Sequence, residues 1–367
     1  MLLIVEGISL LACLFLQSKG VIYKPYLNKE YSEYLNFRDN TLGWPRPDRF
    51  GQDGMYDSIG SRLTPSFPDP FQNKTWVSLY GDSFTWGDHV DQDHAWGNIL
   101  SDTLQVRVSN YGVGGYGSDQ AFLRFLQNTG DEAKIVFLNH LSENIIRNVN
   151  QYRQLLYAGE GLSFKPRFII QQNGSLELIP LPGFSEEEYS DVVHDPGSHL
   201  PYEYFIPNGP SGIQKLSFPF TWTLLKCFNN FHIRAKLLQV PWYAEFYEED
   251  HPSQALSVTI GILKQFHQEA LARGKTPIIT IIPDEPDLVY FRKNGRWPYQ
   301  SLIGGLKNNN IEVFNFGEGI MQHLSTDDIK VLFNESSHFN AKGNRILASS
   351  AYEYLQEKEL LSIWKAK

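Results

Sequence analysis

The sequence predicts an α/β fold: a three-layer α/β/α sandwich around a five-stranded, mostly parallel sheet, with one inserted segment. Three observations predict it. Five short apolar runs recur, at residues 75–80, 106–110, 134–138, 277–282 and 311–316. Helix-like segments separate them, and strands alternating with helices build a parallel sheet covered on both faces. The run at 277–282, Pro-Ile-Ile-Thr-Ile-Ile, is nearly continuous in apolar character, as a strand buried on both faces should be.

The elements follow in order. Gly81 ends the first strand, Thr-Trp-Val-Ser-Leu-Tyr. A helix is expected at 94–104, a second strand at 106–110, and a helix at 118–127 with Ser118 as its N-cap. The third strand, 134–138, is followed by a break in rhythm. Residues 150–250 hold Pro-Gly turns, the acidic cluster Glu186–Glu188 and an aromatic run containing Trp242, Tyr243 and Tyr247. This stretch reads as an insertion or subdomain. The rhythm then resumes with a helix at 257–273 stopped by Gly274. The fourth and fifth strands follow, and then a final helix at 340–355 with Asn340 as N-cap candidate. The domain organisation is therefore an apolar segment at 1–20, an irregular extension at 21–74, and the α/β domain at 75–360 with its insertion at about 150–250.

The chain has 367 residues, with 42% hydrophobic and 20% charged residues, a composition for a globular chain with a sizeable core. A net charge of −9 gives no electrostatic reason to expect nucleic acid or an anionic membrane surface as a partner. The two cysteines, Cys13 and Cys227, exclude a disulfide framework or a Cys-rich zinc site, and Cys13, inside the apolar N-terminal run, is not expected to pair. The ten histidines are scattered with no H-E-x-x-H, so neither a metal nor a cofactor is expected. Residues 2–16 are apolar apart from Glu6, Gly7 and Ser9, about one helical turn short of a comfortable bilayer span. They read as a signal or anchor, which implies membrane attachment and an extracytoplasmic or membrane-anchored location. The alternative is a helix packed on a cytoplasmic domain. Asn73, Asn173 and Asn334 open glycosylation sequons that would matter only in a eukaryotic secretory context.

Chemistry gathers where strands end. The first strand runs into Gly81-Asp82-Ser83, which places a hydroxyl in a tight turn at the sheet edge; a serine there needs an adjacent base to be nucleophilic. The plainer reading is a loop with an Asx-type turn. The second strand ends in Asn110-Tyr-Gly-Val-Gly-Gly-Tyr-Gly117, whose glycines free backbone N–H groups to face an oxyanion. Through Gly112, Gly114 and Gly117 the same stretch matches the dinucleotide pattern G-x-G-x-x-G, the basis of a rival oxidoreductase reading. Against that reading, the next strand does not end in an acidic residue to hold a ribose. After the third strand, Asn139 and Asn144 are candidate amide donors. Near the C-terminus, Glu335 stands three residues before His338, so that its carboxylate could accept from Nδ1–H and leave Nε2 facing the serine.

These blocks, in this order and on these elements, resemble those of the SGNH (GDSL) hydrolase family over roughly residues 75–355. The resemblance implies a flavodoxin-like SGNH fold and a serine esterase or O-acyltransferase. It assigns Ser83 as nucleophile, His338 as base and Glu335 as the orienting acid. It also implies an oxyanion hole from the Ser83 and Gly115 N–H groups and the Asn144 amide, with Asn139 as the alternative. Two departures stand out: the third block lacks Gly-x-Asn-Asp, and glutamate replaces the family's aspartate before the histidine. The expected substrate is a small-molecule or glycan ester, with an O-acetyl group of a glycan or polysaccharide as the specific expectation. The alternative is a decayed site that binds a glycan without catalysis.

Overall fold

Each apolar run forms a strand of one sheet. In the computed structural model, which describes residues 1–29, 31–44, 54–157, 164–324 and 328–364, these are β1 (Thr75–Tyr80), β2 (Arg107–Asn110), β3 (Ile135–Leu141), β4 (Thr276–Ile282) and β5 (Val313–Asn315). They pair in the order β2-β1-β3-β4-β5, and every pairing is parallel. The α/β class and the five-stranded sheet are thus as the sequence predicts. All residues of β3 are buried, and it extends beyond the predicted end to carry Asn139 inside the strand.

Helices cover both faces. On one, Trp96–Leu104 packs against Ala341–Glu357, which also meets Phe316–His323. On the other, Ser118–Gln127 packs on β1 and β3, and its Phe125 ring lies 5.1 Å from Phe266 in the helix Ala255–Ala272. Asn340 caps the last helix through Lys342 N and Gly343 N. The cap of Ser118–Gln127 is Gly117, not Ser118 as expected. The Ser118 hydroxyl is taken instead by buried His140, 2.7 Å away.

The chain divides into two compact units. One comprises Arg46–Arg147 and Thr259–Lys367 and holds the five-stranded sheet. The other comprises Met1–Pro45 and Asn148–Val258. In this second unit Ile22–Tyr23 pairs with Gln214–Lys215, and Arg167–Ile170 forms a hairpin with Leu176–Ile179. Aromatic stacks fill its interior, among them Tyr31 on Tyr189 at 3.7 Å. Tyr243 and Tyr247 of the aromatic run are buried in that interior. The extension at 21–74, read as irregular, contains the helix Tyr31–Phe37. Cys13 and Cys227 are free thiols in one buried apolar cluster.

Candidate active site

In a 2-1-3-4-5 sheet the strand order reverses between β1 and β3, and ligands bind outside the carboxyl ends of the strands at that reversal. Ser83 follows β1 directly. A Cβ at Gly81 would lie 2.0 Å from Thr85 Oγ1, so glycine is what lets the short helix Ser83–Trp86 fold back on the strand end. Asp82 caps this helix by accepting from Phe84 N at 3.0 Å. Ser83 is then the first helical residue, where a backbone N–H has no partner within the helix.

The loop after β2 packs on that turn. A Cβ at Gly112 would lie 2.5 Å from Trp86 N and 2.9 Å from Asp82 O. The first glycine of the G-x-G-x-x-G match therefore brings two protein backbones together, and a pyrophosphate has no room there. Gly115 adopts φ 77°, open to glycine without strain, and its N–H has no hydrogen bond among the described residues.

The two asparagines separate. Asn139 lies within β3, where its Oδ1 accepts from Thr280 on β4 at 2.7 Å, and its Nδ2 has no hydrogen-bond partner among the described residues. Asn144 opens the helix Asn144–Arg147 and is fully buried. Neither of its amide atoms has a partner of normal hydrogen-bond geometry among the described residues. The amide nevertheless stands close enough to Asp82 to favour its ionised form.

Sequence reasoning missed the group that joins these loops. The buried guanidinium of Arg147 donates to Tyr116 O at 3.0 Å, reaches Asp82 Oδ2 at 3.3 Å and pairs with Glu143 at 2.6 Å. One cation thus ties the serine turn, the glycine loop and the asparagine helix. Burial pushes Asp82 up to about 6, with Arg147 opposing the shift. Arginine suits this junction because its fork donates in several directions at once.

His338 arrives on a loop shaped by Asn334. The Asn334 Oδ1 accepts from Ser336 N at 3.0 Å and from His338 N at 3.1 Å. The imidazole Nε2 lies 2.9 Å from Ser83 Oγ, and Nδ1 lies 3.1 Å from the Ser336 carbonyl oxygen. A carbonyl only accepts, so Nδ1 carries the proton and Nε2 is free to accept from the serine hydroxyl. This corrects the expectation for Glu335. Its side chain is exposed, with no hydrogen bond or ion pair among the described residues, and a backbone carbonyl two residues before the histidine fixes the tautomer instead. Glu335→Gln is expected to keep kcat/KM within about twofold, since exposed charges contribute little. A loss of tenfold or more would return the acid role to Glu335.

The charged neighbours of His338 come from a stretch left unread in the sequence, Gly87-Asp88-His89. Burial lowers the His338 pKa, the Asp88 carboxylate opposes that, and His89 and Arg147 reinforce it. The His89 ring lies 5.0 Å from His338, and Phe84 lies against it at 4.8 Å. Asp88 N bonds Ser83 O at 3.0 Å, so Asp88 is part of the same turn as the serine. A base works when unprotonated, so the acid limb of kcat/KM is expected below the ordinary histidine value near 6.5. Asp88→Asn removes an opposing negative charge and should move that limb further down. An upward or absent shift would exclude Asp88 as an electrostatic partner.

Fold and geometry together define an α/β chain with a serine–histidine pair at the switch point of a parallel sheet. No family model matches the chain, and no curated protein matches it. Among solved structures it is similar to a member of the lipolytic protein G-D-S-L family from Veillonella parvula. That match has 15% identity and a TM-score of 0.35, covering 76% of this chain and 97% of that one. It is also similar to a GDSL-like lipase from Bacteroides thetaiotaomicron, at 11% identity and TM-score 0.35, over 77% of this chain and 89% of that one. A third is a psychrotrophic esterase from Pseudoalteromonas, at 11% identity and TM-score 0.35, over 77% and 98%.

Proposed function

We propose that the chain is a serine esterase or O-acyltransferase in which Ser83 is the nucleophile and His338 the general base. The observation that carries this is the 2.9 Å approach of His338 Nε2 to Ser83 Oγ, with the imidazole tautomer fixed by the Ser336 carbonyl. As Oγ attacks the ester carbonyl carbon, its proton passes to Nε2 and the carbonyl π electrons move onto oxygen. The Ser83 and Gly115 N–H groups and the Asn144 amide are the donors for that oxyanion. Collapse expels the alkoxide, which takes the proton from Nε2, and leaves an acyl-serine. Water or an acceptor hydroxyl, deprotonated by the same nitrogen, then takes the acyl group and restores Ser83.

The surroundings favour a short acyl group on a polar molecule. Asp88, His89 and Ser336 border the pair, and stretches 81–89, 112–117 and 334–340 expose no large hydrophobic side chain that would hold a fatty chain. An O-acetyl group of a glycan fits this description. The test is acetate release from an O-acetylated polysaccharide compared with cleavage of a long-chain acyl ester. Preferential release of acetate is expected. Preference for the long chain would overturn the short-acyl reading, and turnover of neither ester would favour a binding module.

A further inference from the structure

The helix Leu2–Ser18 is built inside out. A helix in water buries its apolar stripe and shows its polar one. Here the residues turned inward at helical spacing are Glu6, Ser9 and Cys13. Those turned outward are leucine, isoleucine, valine and phenylalanine; Leu3 is 86% exposed, Leu11 68% and Phe15 62%.

The inward contacts fix this orientation. The Glu6 carboxylate accepts from Phe220 N at 2.6 Å and from Thr221 N at 3.3 Å, at the start of the helix Phe220–Lys226. The Ser9 and Thr221 hydroxyls are 3.0 Å apart. Cys13 closes the contact in the cluster with Val21, Ile22 and Cys227. The one acidic side chain of the N-terminal helix is therefore satisfied within the protein. Rotating the helix to hide its apolar side would strand that carboxylate.

The second helix continues the pattern. Trp222 and Leu225 are exposed on it, with Phe218 and Phe228 exposed at its flanks. Exposed apolar area on this scale marks an interaction surface. Its charge identifies the occupant. Across residues 2–19 and 218–238 the only acidic residue is Glu6, already engaged, while Lys19, Lys226 and Lys236 are present in a chain of net charge −9; Arg234 there is paired with Glu245. Lys19 Nζ lies 5.7 Å from the Phe15 ring centroid, and Lys226 Nζ lies 5.7 Å from that of Trp222. Cations beside aromatic and aliphatic side chains match the headgroup boundary of an anionic bilayer.

The geometry points to docking of these two helices on an anionic phospholipid surface, with the N-terminal helix lying in the interface. Among the described residues, no helix is long and apolar enough to cross a membrane. One face of the N-terminal helix is also held by protein, so lipid cannot surround it.

Vesicle flotation of the full-length chain tests this, with phosphatidylcholine vesicles compared with vesicles that also contain phosphatidylglycerol. The expected result is flotation with the anionic vesicles, at least about fivefold weaker with phosphatidylcholine alone and reduced in about 0.5 M NaCl. Leu11→Glu and Trp222→Glu should each reduce flotation about tenfold or more. Val289→Glu, a control at an exposed apolar residue of the other unit, should leave it unchanged. Circular dichroism and thermal melting identify any variant that has lost its fold. In that case Leu3→Gln, on the same outward face, takes its place. Absence of flotation overturns the proposal, as does a self-associated particle that Leu11→Glu disperses without vesicles. Retention in the membrane through alkaline carbonate extraction would show a crossing helix and overturn the interfacial placement.

Discussion

Ser83→Ala is expected to lower ester turnover by on the order of 10⁶-fold, the scale seen when a serine nucleophile is removed. His338→Ala should cost a similar amount, and the double variant little more than either alone, because the two groups act as one unit. The fold should survive. The hydrogen bond that Ser83 Oγ loses is to a His338 ring still held through Nδ1 and the Asn334 loop, and the vacated space is one oxygen. Thermal melting of Ser83→Ala should therefore follow the parent closely. Near-parent turnover in that variant, measured on purified protein, would remove Ser83 from the chemistry.

Asn144→Ala is expected to lower kcat by about 10²–10³-fold with little change in KM, as loss of one oxyanion donor does. The reason lies in where the amide sits, since Asn139 Nδ2 is also without a partner among the described residues but lies within the strand. Asn144 is fully buried beside Asp82, the residue before the nucleophile, and its Nδ2 has no partner of normal geometry among the described residues. An unsatisfied buried amide costs folding free energy of about 1–3 kcal/mol. A group that appears only when the carbonyl oxygen becomes negative would make use of it. Asn139→Ala should behave differently, because it strips the buried Thr280 hydroxyl of its acceptor. That change should lower stability by about 1–3 kcal/mol and leave kcat within a fewfold. The reverse pattern would transfer the donor role to Asn139.

The chain order of strands and glycines made the sheet legible, since a parallel sheet writes its strands as short apolar runs ended by turn residues. Ser83 and His338 were legible for the same reason: each sits beside an element boundary with a local signature. What stayed hidden depended on three-dimensional proximity. Arg147 reads as one arginine at the end of a short helix, and nothing local shows that it reaches Asp82 and Tyr116. Asp88 and His89 follow a glycine that ends a four-residue helix, and only the return of the chain places them beside a histidine some 250 residues later. Glu335 failed in the other direction. Its spacing was suitable, but Asn334 directs the loop so that the Ser336 carbonyl reaches Nδ1 first. The inverted N-terminal helix was visible as apolar composition, but its inward face required the partner helix whose Phe220 N–H donates to Glu6.

The decisive measurement is the site of covalent labelling by a fluorophosphonate. The reagent reports a hydroxyl whose proton has a base to receive it and whose phosphoryl oxygen finds oxyanion donors. One adduct per chain on the peptide containing Ser83, lost in His338→Ala, is the outcome that follows from a working pair. A parent protein that stays unlabelled, or carries its adduct on a different side chain, would contradict it.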